Sequence, residues 1–318
     1  MTQNVIIFGA DGFIGSHFAN YLQVNFGELN LRLCDYSGKG SSEYVDVRNP
    51  IEIKGDFGSS DIIINLAAIH RTPGHPDFDY FETNLKGSEN VCEFAERMGI
   101  ENIIFTSSIA PYGASEEEKF EETLPTPNTP YGISKLVSEE IHKRWAFKES
   151  KRRLLILRPG VVFGKGENGN FTRLATAIGK GIFFYPGRKD TIKAAIYVKE
   201  LVIQSFNLFE KQKDQVSVYN FAYSPSYTIE EIASKISLVM GKSKPRIVFP
   251  AFALKLLAGL LKTLGFGRFG FHPARVNKLM TSTNISGDKL KNSVGEYRYS
   301  LDEALEDWYK DCDRTGLF

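Results

Sequence analysis

The chain has 318 residues, 42% of them hydrophobic, enough to bury a sizeable core in one large α/β unit or in a larger and a smaller one. Its 39 Lys and Arg balance 38 Asp and Glu to a net charge of +1, so the overall charge gives no reason to expect nucleic acid or an acidic membrane as partner. Three cysteines, Cys34, Cys92 and Cys312, stand far apart without metal-ligand spacing; no metal is expected, and they fit a reducing compartment.

Residues 4–9 (NVIIFG) read as a buried strand running at once into a glycine turn rather than as a signal peptide, so a cytoplasmic protein is expected. Residues 29–35, 61–67 and 102–107 are further short apolar runs of strand length. Between them, residues 13–26 and 78–98 carry apolar side chains at helical spacing, and 131–149 is another helix followed by a strand at 154–157. Strands alternating with helices predict a parallel sheet with right-handed crossovers. After Pro159 the alternation weakens into glycine-rich loops (164–169, 179–187), a helix at 229–240 and an apolar stretch at 250–267. That stretch is interrupted by Lys255 and Lys262 and is short for a membrane span. A helix packed on the protein and one lying on a membrane surface both fit it. The expected division is a dinucleotide-binding part over 1–160, with parts of 190–225 returning to it, and a mainly substrate-binding lobe over 161–318.

Gly9, Gly12 and Gly15 follow the first strand and open the first helix. Glycines there permit a tight turn, let backbone approach a pyrophosphate, and aim the N–H groups of a helix terminus at it. Asp35, twenty residues beyond Gly15, ends the second strand, where a carboxylate binds ribose hydroxyls and repels a 2′-phosphate. NAD is favoured on that ground, with Lys39 nearby leaving NADP open.

Tyr131 and Lys135 stand four residues apart on one helix face. A phenol is a poor base at neutral pH, and a neighbouring ammonium favours its ionised form. Such a phenolate takes a proton from a substrate hydroxyl as hydride leaves, and returns it in reverse. The same spacing recurs at Tyr185 and Lys189, but Pro186-Gly187 between them marks a turn, not a helix. Ser107 and Ser108 close the strand at the carboxyl edge of the sheet, where a hydroxyl can hold the reacting oxygen.

Together these residues resemble the extended branch of the short-chain dehydrogenase/reductases, within it the NAD-dependent epimerase/dehydratase family, and most of all its nucleotide-sugar epimerases and 4-ketoreductases. The resemblance implies a Rossmann-type doubly wound parallel sheet with a smaller interleaved C-terminal substrate-binding lobe. It implies Ser108, Tyr131 and Lys135 as catalytic residues. Gly9, Gly12, Phe13, Ile14, Gly15, Asp35, Asp46, Val47, Leu66, Ala67, Ala68, Asn84, Thr106, Pro159 and Val161, with Tyr131 and Lys135, fall on cofactor-contacting positions. Ser108, Asn170, Phe171, Phe184, Lys193 and Arg275 fall on positions that contact a nucleotide-diphosphate sugar. It also implies a homodimer formed by the helices at 78–98 and 131–149, and a role in surface-polysaccharide sugar synthesis. Ile109-Ala110 stands where dehydratases carry an Asp-Glu pair, which argues against dehydration, and Val161 replaces an Asn usual in UDP-galactose epimerases. Epimerase and 4-ketoreductase remain the two chemistries. A non-catalytic dinucleotide sensor would be expected to lose Tyr131 or Lys135, and both are present. His70 and His75 read as loop histidines, and Glu116–Glu118 with Glu121 and Glu122 as a solvated acidic loop.

Overall fold

A computed structural model describes residues 3–70, 74–254, 256 and 280–317. The apolar runs become strands of one parallel sheet: β1 (Asn4–Phe8), β2 (Asn30–Asp35), β4 (Ile62–Asn65), β5 (Asn102–Thr106) and β7 (Arg153–Pro159). The two-residue β3 (Glu43–Tyr44) forms one edge and β11 (Val216–Phe221) the other, in the order β11-β7-β5-β4-β1-β2-β3. Ile6 of β1 sits between Arg32 of β2 and Ile63 of β4.

Both faces of this sheet are covered, which is why its central strands are continuously apolar rather than alternating. Val5 and Ile7 point into a core shared with α1 (Phe13–Asn25) and α6 (Val198–Lys211). Ile6 and Phe8 point the other way, into a core with α3 (Gly87–Met98) and α4 (Pro130–Phe147). Each such side chain contributes about 1.5–3 kcal/mol on full burial, so neither face can be left open. The order of connection reverses between β1 and β4, opening a crevice at their carboxyl ends where ligands of open α/β sheets bind.

The helix expected at 78–98 is three segments: α2 (Asp77–Phe81), one π-helical turn (Glu82–Lys86), and α3. Past Pro159 the chain builds small parallel pairs. Strand β8 (Val161–Phe163) pairs β10 (Ala195–Tyr197), and β9 (Tyr185–Pro186) pairs β12 (Val248–Phe249). Around them stand α5 (Asn170–Gly179), α7 (Ile229–Val239), α8 (Asp288–Val294) and α9 (Leu301–Asp311). The acidic stretch read as a solvated loop is instead strand β6 (Ser115–Lys119), paired with β13 (Thr283–Ile285). Glu116 is held there, accepting from the Ser282 N–H at 3.0 Å and hydroxyl at 2.8 Å. Most of the apolar stretch 250–267 lies outside the described residues. Among those described, no helix is long and apolar enough to cross a membrane.

Candidate active site

At the end of β1 the backbone of Gly9 turns with φ +85°, and a Cβ there would stand 2.9 Å from the Ala67 nitrogen. A Cβ on Gly15 would stand 2.2 Å from the Gly9 carbonyl oxygen, so the first turn of α1 presses directly on the β1 exit. Gly12, the N-cap of α1, offers no side-chain cap, which leaves the N–H groups at Phe13 and Ile14 to other acceptors. Leu66 is tied to Phe8 by its N–H at 2.9 Å, and Ala67 and Ala68 continue along the crevice floor.

Two carboxylates stand at the far end of β2. Asp35 accepts from the N–H of Asp11 at 3.1 Å and of Ser37 at 2.8 Å. Asp11 gathers the Ser37 hydroxyl, the Ser42 hydroxyl at 2.8 Å and the Lys39 N–H at 3.1 Å. Burial works to raise the Asp11 pKa, but these hydrogen bonds hold it below the ordinary range. Asp46 is gripped by Arg48 at 2.6 Å, which lowers its pKa, and the Arg48 guanidinium lies over the Tyr36 ring at 5.0 Å. Val47 is buried, its carbonyl accepting from Asn90 at 2.7 Å.

The reacting pair is positioned by the start of α4. Thr129 caps that helix by accepting the Gly132 N–H at 3.1 Å, and Pro130 occupies its first turn, where a missing N–H is harmless. A Cβ on Gly132 would stand 2.7 Å from the Ala110 carbonyl oxygen, so α4 can close on the turn that follows Ser108. Tyr131 is thereby hydrogen-bonded to Ser108. Burial pushes the Tyr131 phenol up while the Ser108 hydrogen bond draws it down, with a net rise. Lys135, one turn on, is buried, with Nζ donating to the Thr106 carbonyl at 2.8 Å and lying 4.9 Å over the Phe105 ring. Burial pushes its ammonium down to about 7 against the attraction of Glu139. The Tyr185/Lys189 pair, by contrast, spans β9 and a turn, with Gly187 at φ +77°.

Asn84 lies in the π-helical turn, where the extra residue re-aims its side chain. Its amide exchanges hydrogen bonds with both backbone groups of Ile69 and donates to Ser134 Oγ at 2.8 Å. It therefore pins the loop after β4 to α4.

Beneath the pair runs a buried network, into which Ser107, read from sequence with Ser108 as a hydroxyl for the reacting oxygen, is turned instead. Ser107 Oγ donates to Glu139 at 2.6 Å, and Arg158 grips the same carboxylate with Nε at 2.9 Å and a terminal nitrogen at 2.6 Å. Burial works against the Arg158 charge, but Glu139 more than offsets it and holds the guanidinium well above its usual value. Arg158 also donates to the Tyr112 hydroxyl at 2.5 Å, which in turn donates to Asn220 at 2.9 Å. His142 stacks on Phe105 at 4.0 Å, with Nδ1 facing the Ser138 carbonyl at 2.7 Å and Nε2 facing the Asn65 amide at 3.2 Å. Desolvation keeps it neutral, down to about 4.

The expected substrate residues are more scattered. Asn170 is exposed in the first turn of α5, whereas the Phe171 ring is buried, stacked on Phe163 at 4.5 Å, so it is the Phe171 backbone that faces the helix start. Phe184 is exposed against Phe249, and Lys193 donates to the Thr281 carbonyl at 2.7 Å. Pro159 and Val161 flank Gly160 at the end of β7. Arg275 lies outside the described residues.

A family model described as the NAD dependent epimerase/dehydratase family matches residues 5–222. The chain belongs to that family. Among relatives of this epimerase/dehydratase-family protein is the N-acetyl-alpha-D-glucosaminyl-diphospho-ditrans,octacis-undecaprenol 4-epimerase of Escherichia coli O157:H7. It is 28% identical over 318 residues, with 96% of this chain and 94% of the relative covered. A UDP-glucose 4-epimerase of Azospirillum brasilense is 31% identical over 190 residues, 54% of this chain and 53% of the relative. A UDP-glucose 4-epimerase of Thermus thermophilus, solved in complex with NAD, shares the fold, with a TM-score of 0.73 at 19% identity, covering 98% of this chain and 99% of that one. The residues of this family member fit a dinucleotide. Cβ atoms at Gly9 and Gly15 would strike backbone and push the turn open, α1 begins there uncapped, and the buried Thr106 hydroxyl beside Lys135 has no protein partner.

Proposed function

We propose that the chain is an NAD-dependent 4-epimerase acting on a sugar carried by a diphosphate, in surface-polysaccharide synthesis in the cytoplasm. The observation that carries the reading is that Tyr131 and Lys135 of α4 meet Ser108 and Thr106 at the carboxyl end of β5, on the same sheet edge as the glycine turn after β1, in a chain alignable almost end to end with a sugar 4-epimerase. Gly9, Gly12, Phe13, Ile14 and Gly15 would hold the cofactor's diphosphate, Asp35 its ribose, and Asp46 and Val47 its adenine. Leu66, Ala67, Ala68, Asn84, Thr106, Pro159 and Val161 would line its path to Tyr131. Asp11 beside Asp35 adds a second negative charge where a 2′-phosphate would sit, which favours NAD. When bound, NAD supplies the hydride acceptor and donor.

The chain's own residues supply the proton chemistry. Tyr131 takes the proton from the sugar hydroxyl and returns it after the sugar has turned its other face. Lys135 stabilises the phenolate, and Ser108 holds the reacting oxygen against it. Asn170, the Phe171 backbone, Phe184, Lys193 and Arg275 are proposed to hold the substrate's diphosphate and carrier. We further propose that residues 1–160 with α6 and β11 form the cofactor part, and that the chain forms a homodimer through α2, α3 and α4.

A second reading concerns the carrier. The relative matched over 96% of this chain is named for a polyprenol-linked substrate, which favours a polyprenyl diphosphate over a nucleoside diphosphate. The test is to assay bound nicotinamide in protein purified without added cofactor, then supply UDP-sugars and a GlcNAc-diphospho-polyprenol separately. Interconversion of C4 epimers without net cofactor consumption is the expected result. Turnover confined to 4-keto sugars with stoichiometric loss of added NADH would make it a reductase instead.

A further inference from the structure

We propose that the β9–β12 ribbon and the turns beside it form a docking face for an anionic lipid bilayer. Four large apolar side chains stand out into solvent there: Ile182 (67% exposed), Ile247 (66%), Phe252 (76%) and Leu256 (76%). Ile182 and Ile247 stand where this parallel ribbon begins, and Phe252 and Leu256 follow where it ends. Tyr185 donates to the Ile247 carbonyl at 2.8 Å, Gly187 to that of Phe249 at 2.9 Å, and the rings of Phe184 and Phe249 lie 5.4 Å apart. Around them Lys180, Lys242, Lys244 and Arg246 are all exposed.

The charge pattern says what covers this face. Residues 241–249, which lead into and form β12, hold Lys242, Lys244 and Arg246 and no Asp or Glu, in a chain whose net charge is only +1. A second copy is a poor occupant, because a two-fold interface here would set like charges against each other. Exposed aliphatic and aromatic side chains with a basic rim are the composition of an interfacial membrane-binding surface: the apolar groups enter the headgroup boundary and the cations draw in anionic lipid. The purpose of such a face rests on the polyprenol reading of the carrier, since a polyprenyl chain keeps its sugar at the bilayer; vesicle binding itself does not rest on it.

The experiment is co-flotation of the full chain with vesicles of phosphatidylcholine alone or with phosphatidylglycerol, at low and high salt. Binding to the phosphatidylglycerol vesicles that weakens with salt is expected. Lys242→Glu/Lys244→Glu/Arg246→Glu should lower the bound fraction about tenfold or more, and Ile182→Ser/Phe252→Ser should lower it at both salt concentrations, with unchanged thermal melting as the check on folding. Failure of the unmodified chain to bind, or variants that bind as well as it does, overturns the proposal. So does a fall in the light-scattering mass of the variants, which would assign the face to self-association. Vesicle binding without turnover of any sugar would uphold the face and sink the epimerase; turnover without vesicle binding would do the reverse.

Discussion

Tyr131 and Lys135 carry opposite burdens from the same cause. Burial raises the phenol, against the Ser108 hydrogen bond, and lowers the ammonium to about 7, against Glu139, so each site disfavours its own charge. Tyr131→Phe removes the acid/base but leaves the cofactor cradle intact. Turnover should fall by about 10²–10⁴-fold with cofactor affinity little changed, as read by steady-state kinetics and NAD titration. A variant that keeps most of its activity would remove Tyr131 from the mechanism. His142 makes a prediction about stability instead. Its folded pKa near 4 lies below the 6.5 of an ordinary imidazole, so between these values the unfolded chain binds a proton that the folded chain refuses. The stabilisation is complete above pH 6.5 and is lost as pH falls toward 4, by up to about 3 kcal/mol. Urea unfolding at pH 7 and pH 4.5 should show this loss, and His142→Gln should shrink it. Equal pH slopes in the two proteins would show that His142 does not set it.

At the scale of elements, the turn from β1 into α1 is a tightly constrained junction. Gly15→Ala forces a Cβ to within 2.2 Å of the Gly9 carbonyl oxygen and 2.8 Å of Ala10 Cα, both backbone atoms that cannot swing aside. It should cost about 1–3 kcal/mol of stability in denaturant unfolding and weaken NAD binding. Gly27→Ala, with nothing within 4 Å of the new methyl, is the control and should leave NAD binding unchanged. An unperturbed Gly15→Ala protein would mean that the turn does not shape the cofactor site. This junction was legible in sequence because its glycines, its strand and its helix are adjacent along the chain. So were β4 and β5, whose burial on both faces leaves an unbroken apolar run, and α4, which carries Tyr131 and Lys135 on one face. Strand β6 was not, since Ser-Glu-Glu-Glu-Lys has no strand pattern and is held by Ser282, more than 160 positions away. Strand β11 was seen only as chain returning toward the sheet, because an edge position leaves four of its six residues partly exposed and dilutes the apolar signal. The Ser107–Glu139–Arg158–Tyr112 network was invisible for a third reason. A buried carboxylate on an amphipathic helix looks in sequence like any solvated one until the guanidinium that neutralises it is known.

Across the whole molecule, two exposed apolar surfaces differ in charge, and the difference assigns them to different partners. On α4, Ile133 and Val137 stand one turn apart on the outer face, with Glu140, Lys143 and Arg144 following in mixed sign and Phe78 exposed on the neighbouring α2. Mixed charge lets such a face meet its own copy about a two-fold axis, each acid finding the other subunit's base. The eighteen residues of α4 run about 27 Å, long enough, with α2 and α3 alongside, for an interface of standard size. The basic β9–β12 face has no such self-complementarity. The chain should therefore show a light-scattering mass of twice 35.7 kDa. Ile133→Lys/Val137→Lys should halve that mass while leaving vesicle flotation in place, because the substitutions lie on a different face from the basic ribbon. A monomeric mass for the unmodified chain would rule out the helix pairing. A dimer that survives these substitutions but separates when Lys242, Lys244 and Arg246 are reversed would exchange the roles of the two faces.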